Sequence, residues 1–167
     1  MYIHISVRTD RQETCRTLRK DARTVVDRCP GLKIRQTARR IVRLFDAHLA
    51  ERNLTFSQFG LMAQIAAAED DTIKGLAALT DLDQSTLSRN LHGLERAGLI
   101  EIANVEKDLR RRAVWLTEKG ARHLEAAIPL WRQAQAAIAR RIDVKTVLEL
   151  ANATELLPRT KPGTGRR

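Results

Sequence analysis

From Ile34 onward the apolar residues Ile34, Ala38, Ile41, Val42, Phe45 and Leu49 recur at three and four, with Arg35, Arg39, Arg40 and Arg43 between them. This is the period of a helix with one buried stripe. Asn53-Leu54 interrupts it, and Thr55 with Gln58 then has the spacing of a capping box, in which each side chain satisfies an amide at the next helix start. A second helix follows through Phe59, Leu61, Met62 and Ile65. The acidic cluster Glu69-Asp70-Asp71 marks a turn, and Thr72 caps a short third helix carrying Ile73, Leu76, Ala77 and Leu79. Asp83 is placed to cap a fourth helix, with Leu87, Leu91 and Leu94 facing inward and Gly98 as its closing glycine.

Beyond Gly98 the pattern changes. Leu99–Val105 and Ala113–Leu116 have strand character, and Glu106–Arg112 joins them as a basic connection, so the simplest topology is a β-hairpin. Thr117 opens a long helix through Leu124, Ile128, Trp131, Ala134 and Ile138, which Pro129 should bend because proline lacks a donor and crowds the previous turn. Asp143 caps a last helix through Val147, Leu150 and Leu157. Residues 1 to 33 show no sustained period and end at the breaker Cys29-Pro30-Gly31, so they read as a weakly structured extension. Residues 158 to 167, rich in Pro, Gly and Arg, read as a disordered basic tail. The predicted class is mainly α with a small β-hairpin.

Composition narrows this picture less than the charge count first implies. The 167 residues are 43% hydrophobic and 30% charged, as in a helix-rich globular protein, and carry a formal net charge of +10. Residues 1 to 33 hold eight Lys/Arg against four Asp/Glu, and residues 158 to 167 add four basic residues and no acid. A surplus of two is left for the body, so any argument for an anionic partner must rest on where its charges cluster.

Two cysteines, Cys15 and Cys29, are too few for a secreted disulfide framework, and no run reaches the roughly 18 apolar residues of a membrane span, so a cytoplasmic location is expected. His4, His48, His92 and His123 are scattered without zinc-site spacing. With no nucleophile motif, phosphate-cradling loop or convincing carboxylate pair, the reading is of a non-enzyme without metal or cofactor.

The polar residues of the fourth helix carry the sharpest chemistry. A helix entering the DNA major groove needs small or amide side chains at its leading end and apolar residues behind. Gln84, Arg89 and Asn90 suit bidentate contacts with purine edges, and Ser85, Thr86 and Ser88 suit phosphates or single base contacts. The hairpin adds Lys107, Asp108, Arg110, Arg111 and Arg112; arginines on a two-stranded ribbon can enter a minor groove, and Asp108 beside Arg110 could orient its guanidinium. A polar helix face or an arginine run is, taken alone, as readily a solvated surface. Helix, glycine, strand, basic turn and strand in this order are much less readily chance.

Residues 34 to 157 resemble a winged helix-turn-helix regulator of the MarR family. The resemblance rests on D-x-R followed by five residues, L-T and x-x-G, standing here as Asp108, Arg110, Leu116, Thr117 and Gly120, together with LTFSQFGLM and LERAGLI. It implies a winged-helix head over 55–116 on a helical dimerisation base built from 34–51 and 117–157. It further implies a homodimer on a pseudo-palindromic operator of double-stranded DNA, most simply a repressor released by a small aromatic effector. The apolar surplus of helices 34–51, 117–141 and 143–157 independently points to a dimer.

Arg43, His48, Phe59 and Met62 lie on helices that could line an effector crevice, although each has a plainer role in surface charge or packing. The alternatives are a non-specific basic protein that coats nucleic acid, a protein-docking scaffold, and a redox-responsive regulator using Cys29. Against the last, Arg35, Phe45 and Phe56 stand where peroxide-sensing relatives carry tyrosines.

Overall fold

The computed structural model describes residues 6–80, 82, 84–105 and 108–157, and the side chains of 16–80, 82, 84–104 and 112–157. His4, Asp83, Lys107 and the tail from residue 158 lie outside the described residues. The element order is α1 (Ser6–Arg28), α2 (Pro30–Leu49), a 3₁₀ turn (Ala50–Arg52), α3 (Phe56–Ala67), α4 (Ile73–Thr80), α5 (Gln84–Arg96), β1 (Ile100–Val105), β2 (Asp108–Leu116), α6 (Glu118–Ala139) and α7 (Val144–Glu155). The chain divides into two units between Arg43 and Leu44.

In the first unit the structure departs from the sequence reading. The stretch expected to be weakly structured contains α1, a helix of 23 residues. It ends at Arg28, and two backbone bonds flank the breaker: the Cys29 amide donates to the Val25 carbonyl at 3.0 Å and the Lys33 amide to the Cys29 carbonyl at 3.1 Å. Pro30 occupies the first turn of α2, where its missing donor costs nothing. Every described side chain from 16 to 40 is exposed except Cys29, which is half-buried.

The second unit is built around α3, which packs on α4, α5, α6 and β2. Its four expected inward residues, Phe59, Leu61, Met62 and Ile65, are all buried, as are Leu87, Leu91 and Leu94 of α5. Asn53 supplies the break before α3 with a left-handed backbone (φ 53°). The Thr55–Gln58 capping box forms with both reciprocal bonds, and Asp46 adds to it by accepting the Phe56 amide at 2.7 Å while Phe45 stacks on Phe56. Thr72 caps α4 by accepting the Gly75 amide at 3.0 Å. Of the apolar residues of α4 only Leu76 is buried, and Leu79 is 62% exposed.

Two further helix faces are corrected. On α6 the buried positions include Ala127 and Leu130, and Ile128 and Trp131 lie half-buried beside them. The helix passes Pro129 without interruption. The last helix has no buried residue and ends at Glu155, leaving Leu157 beyond it. No described helix is long and apolar enough to cross a membrane.

Candidate nucleic-acid interface

The orientation of α5 is set at its C-terminal end and along one side. Leu87, Leu91 and Leu94 recur at four and three, and their burial turns the rest of the helix outward. At its C-terminal end Gly98 has φ +68°, the left-handed conformation that glycine adopts without a Cβ penalty. The Gly98 amide donates to the Glu95 carbonyl at 2.9 Å and the Leu99 amide to the Leu94 carbonyl at 3.0 Å. This pair of bonds is a Schellman motif, and the burial of both Leu94 and Leu99 completes it with an apolar contact position.

The same corner anchors the start of α6. The Thr117 hydroxyl accepts the Gly120 amide at 2.9 Å as an N-cap and donates to the Gly98 carbonyl at 2.8 Å. Lys119 donates to the Ala97 carbonyl at 2.6 Å, and the Thr117 amide donates to the Leu99 carbonyl at 3.1 Å. Gly120 sits so close beneath that a Cβ built on it would fall on the Leu99 carbonyl oxygen. The L-T-x-x-G pattern is therefore a joint: threonine ties two elements together and glycine lets them touch.

With its apolar side fixed, α5 presents Gln84, Ser85, Ser88 and Arg89 as exposed side chains and Thr86 and Asn90 as half-buried ones. The Arg89 guanidinium folds back on its own helix, donating to the Ser85 carbonyl at 3.2 Å and the Thr86 hydroxyl at 3.3 Å. Both bonds are exposed and exchange readily for a base or phosphate. His92 lies 3.7 Å from Glu95 on the same helix.

The hairpin differs from its expected form. β2 begins at Asp108, so Asp108, Arg110, Arg111 and Arg112 belong to a strand rather than to the connection. The register runs from Ile100 opposite Leu116 to Asn104 opposite Arg112, then shifts so that Val105 faces Asp108. Such a shift bends and twists a ribbon at its end. The sequence obscured the strand because consecutive arginines carry no apolar alternation, whereas the backbone pairing that makes the strand is blind to it.

A further pairing escaped the sequence reading altogether. Thr72 bridges Ala113, and the Val114 amide donates to the Asp71 carbonyl at 2.8 Å, tying the hairpin to the entry of α4. Arg112 then lines an open groove with Gln84, Ser88 and His92 of α5, so the ribbon and the polar helix meet at one surface.

The effector candidates fall in both units, Arg43 in the first and His48, Phe59 and Met62 in the second. Phe59 and Met62 are core residues, with Phe59 stacked on Trp131 at 6.4 Å, and half-buried His48 makes a 2.9 Å hydrogen bond with the Leu44 carbonyl. Arg43 lines a groove of the first unit with Arg39 and Arg40. Among the described residues no group of His, Cys, Asp or Glu is placed to hold a metal.

Comparison with known proteins decides which family builds such a head. Residues 52–111 match the sequence profile of the MarR family. The transcriptional regulator HosA of Escherichia coli is 34% identical over 92 residues, covering 52% of this chain and 68% of that protein. The chain belongs to the MarR family. The HTH-type transcriptional regulator SarZ of Staphylococcus haemolyticus is 29% identical over 84 residues, and the match spans 50% of this chain and only 57% of that one. Among solved structures, the M. tuberculosis transcriptional regulator MosR in complex with DNA superposes with a TM-score of 0.69 at 31% identity, covering 76% of this MarR-family chain and 94% of MosR. The winged-helix fold expected from the wing and helix motifs is thus the observed one.

Proposed function

We propose that this MarR-family chain is a homodimeric, sequence-specific DNA-binding transcription regulator, acting as a repressor that a small aromatic effector releases from a pseudo-palindromic operator. The observation that carries DNA reading is the surface shared by α5 and the hairpin. Exposed Gln84, Ser88 and Arg89 stand on a helix locked by its leucines and its Schellman corner, and Arg112 lines one groove with Gln84 and Ser88. The solved DNA complex of the similar regulator MosR supports this reading. On this reading, Gln84 to Asn90 read base edges in the major groove and Lys107 to Arg112 engage the adjacent minor groove.

The dimer reading is supported by α7, which has no buried residue and exposes Leu148 at 59% and Leu150 at 48%. Two heads related by a two-fold axis address half-sites about one turn of DNA apart. An effector acts by favouring a head spacing that no longer fits successive grooves, and must bind that state more tightly.

The test is selection of bound fragments from random DNA, followed by binding measurements on two variants. Arg89→Ala is expected to cost about 1 to 3 kcal/mol and to relax base preference at a fixed position. Arg110→Ala is expected to weaken all sequences alike and to lower the salt slope by about one. Recovery of no inverted repeat overturns operator reading and leaves sequence-indifferent coating. A monomer by light scattering overturns the dimer, and indifference of the DNA complex to a panel of phenols and aromatic carboxylates overturns effector release.

A further inference from the structure

Once residues 6 to 28 are known to be helical, their thin apolar content acquires a period. Leu18, Ala22, Val25, Cys29 and Leu32 are spaced at four, three, four and three along α1 and the first turn of α2, which meet at Cys29. This is the seam of a two-helix coiled coil, narrower than the stripe of a helix packed on a globular core. Its larger residues are left open, with Leu18 67% exposed, Val25 56% and Leu32 43%, while Cys29 is half-buried.

We propose that this seam pairs α1 with α1 of a second copy of the chain, in antiparallel orientation, as a dimer contact additional to the dimerisation base. The inference rests on the dimer reading above. The charges beside the seam choose the partner and its direction. With Ala22 of one copy set against Val25 of the other, Leu18 meets Cys29, and Asp21 falls beside Arg28 of the partner subunit, twice by symmetry. Arg19 then lies along Val26 of the partner subunit, where its methylene stem covers an apolar side chain that is 60% exposed in the free helix. Among the described residues neither Asp21 nor Arg28 has an ion-pair partner within its own chain.

A parallel pairing fails on the same residues. It sets Arg28 beside Lys33 of the partner subunit, a like-charge contact made twice, and leaves Asp21 beside Val26 of the partner subunit. A globular partner would have no reason to match a seven-residue repeat with an inverted charge pattern.

The two orientations differ in which thiols meet. In the antiparallel pair the two Cys29 residues stand 11 positions apart, about 16 Å along the helix, too far for a disulfide. In the parallel pair they face each other. The experiment oxidises the full-length chain carrying Cys15→Ser, with and without Leu18→Cys, and maps the linked peptides. The antiparallel pair predicts no disulfide dimer in the parent, conversion of most of the Leu18→Cys protein to a dimer linked between positions 18 and 29, and loss of that link on adding Cys29→Ser.

A charge swap tests the same geometry without cysteine chemistry. Asp21→Arg alone should raise the dimer Kd on the order of threefold to tenfold, and adding Arg28→Asp should restore it. A Cys29–Cys29 link in the parent overturns the orientation. A dimer by light scattering that yields no linked product and ignores the swap overturns the helix pairing and leaves the dimer standing. A monomer overturns both.

Discussion

The head and the helices outside it use the same apolar spacing to different ends. In α3 and α5 the residues at helical period are buried within the chain, and Phe59, Met62, Leu87 and Leu94 form part of one core. In α1 and α7 the same residue types at the same period face outward, with Leu18 67% and Leu148 59% exposed. Periodicity states that a face is to be covered and is silent on which chain covers it. What separates the two regions is the density of local stops: Thr55, Thr72, Gly98, Thr117 and Gly120 fix corners of the head, and among the described residues no comparable device turns α1 back on itself.

The strongest way to break this comparison is to remove one leucine from each region. Leu94→Ala opens a hole in a packed core and should destabilise the fold by about 2 to 5 kcal/mol, read from the midpoint of denaturant unfolding. Leu148→Ala removes a side chain already in water, so the unfolding midpoint extrapolated to low protein concentration should stay within about 0.5 kcal/mol of the parent. The proposed dimer should dissociate more readily. Equal losses in the two variants, independent of concentration, would mean that α7 belongs to the core of its own chain.

The next effect concerns backbone contact. Gly120→Ala places a methyl on the Leu99 carbonyl, which is main chain and cannot swing aside, so a loss of about 3 kcal/mol is expected. Gly60, inside α3, has nothing within 4 Å of a built Cβ. Gly60→Ala should therefore stabilise by roughly 0.5 to 1 kcal/mol through helix propensity alone. If the two alanines behaved alike, the close approach of α6 to the β1 corner would be wrong.

Smaller again is the hydroxyl that joins α5 to α6. Thr117→Ala removes an N-cap bond and the bond to the Gly98 carbonyl, for about 1 to 2 kcal/mol. Because Thr117 is the tie between the end of α5 and the start of α6, faster amide exchange should appear at both Gly98 and Gly120. Exchange confined to Gly120 would reduce Thr117 to an ordinary cap.

These contacts show why some of the structure was legible in the sequence and some was not. Caps and glycine stops are local: Thr55 with Gln58, and Gly98 after Leu94, state their bonds within a few residues, and each appears as read. The same holds for the polar face of α5, whose exposed turns follow from where its leucines lie. The bridge from Thr72 to Ala113 joins positions far apart in the chain and leaves no local mark. The reason for Gly120 was hidden likewise, since the glycine is visible in the pattern but the Leu99 carbonyl it accommodates is a tertiary neighbour. The helix α1 was missed for a different cause: a thin apolar stripe of Leu18, Ala22 and Val25 among arginines and aspartates is too narrow for a period that expects a broad stripe.

The finest test of the comparison lies at the start of α7, where a local device operates on a helix with no core to join. Asp143 caps α7 by accepting the Thr146 hydroxyl at 2.9 Å and the Lys145 amide at 3.1 Å. The Thr146 bond first and the Lys145 bond second hold its carboxyl below the ordinary aspartate range. A carboxyl lowered in the folded state adds stability that is fully present above its unfolded pKa, about 3.9, and is lost as pH falls through the folded value. Fraying at Lys145 and Thr146 should therefore begin only below about pH 4. In Asp143→Asn, which keeps an acceptor but not the charge, it should become independent of pH over that range. A carboxyl carbon at Asp143 that titrates by NMR at the ordinary value would show the cap to be broken in solution, and the N-terminus of α7 would then lack its local device.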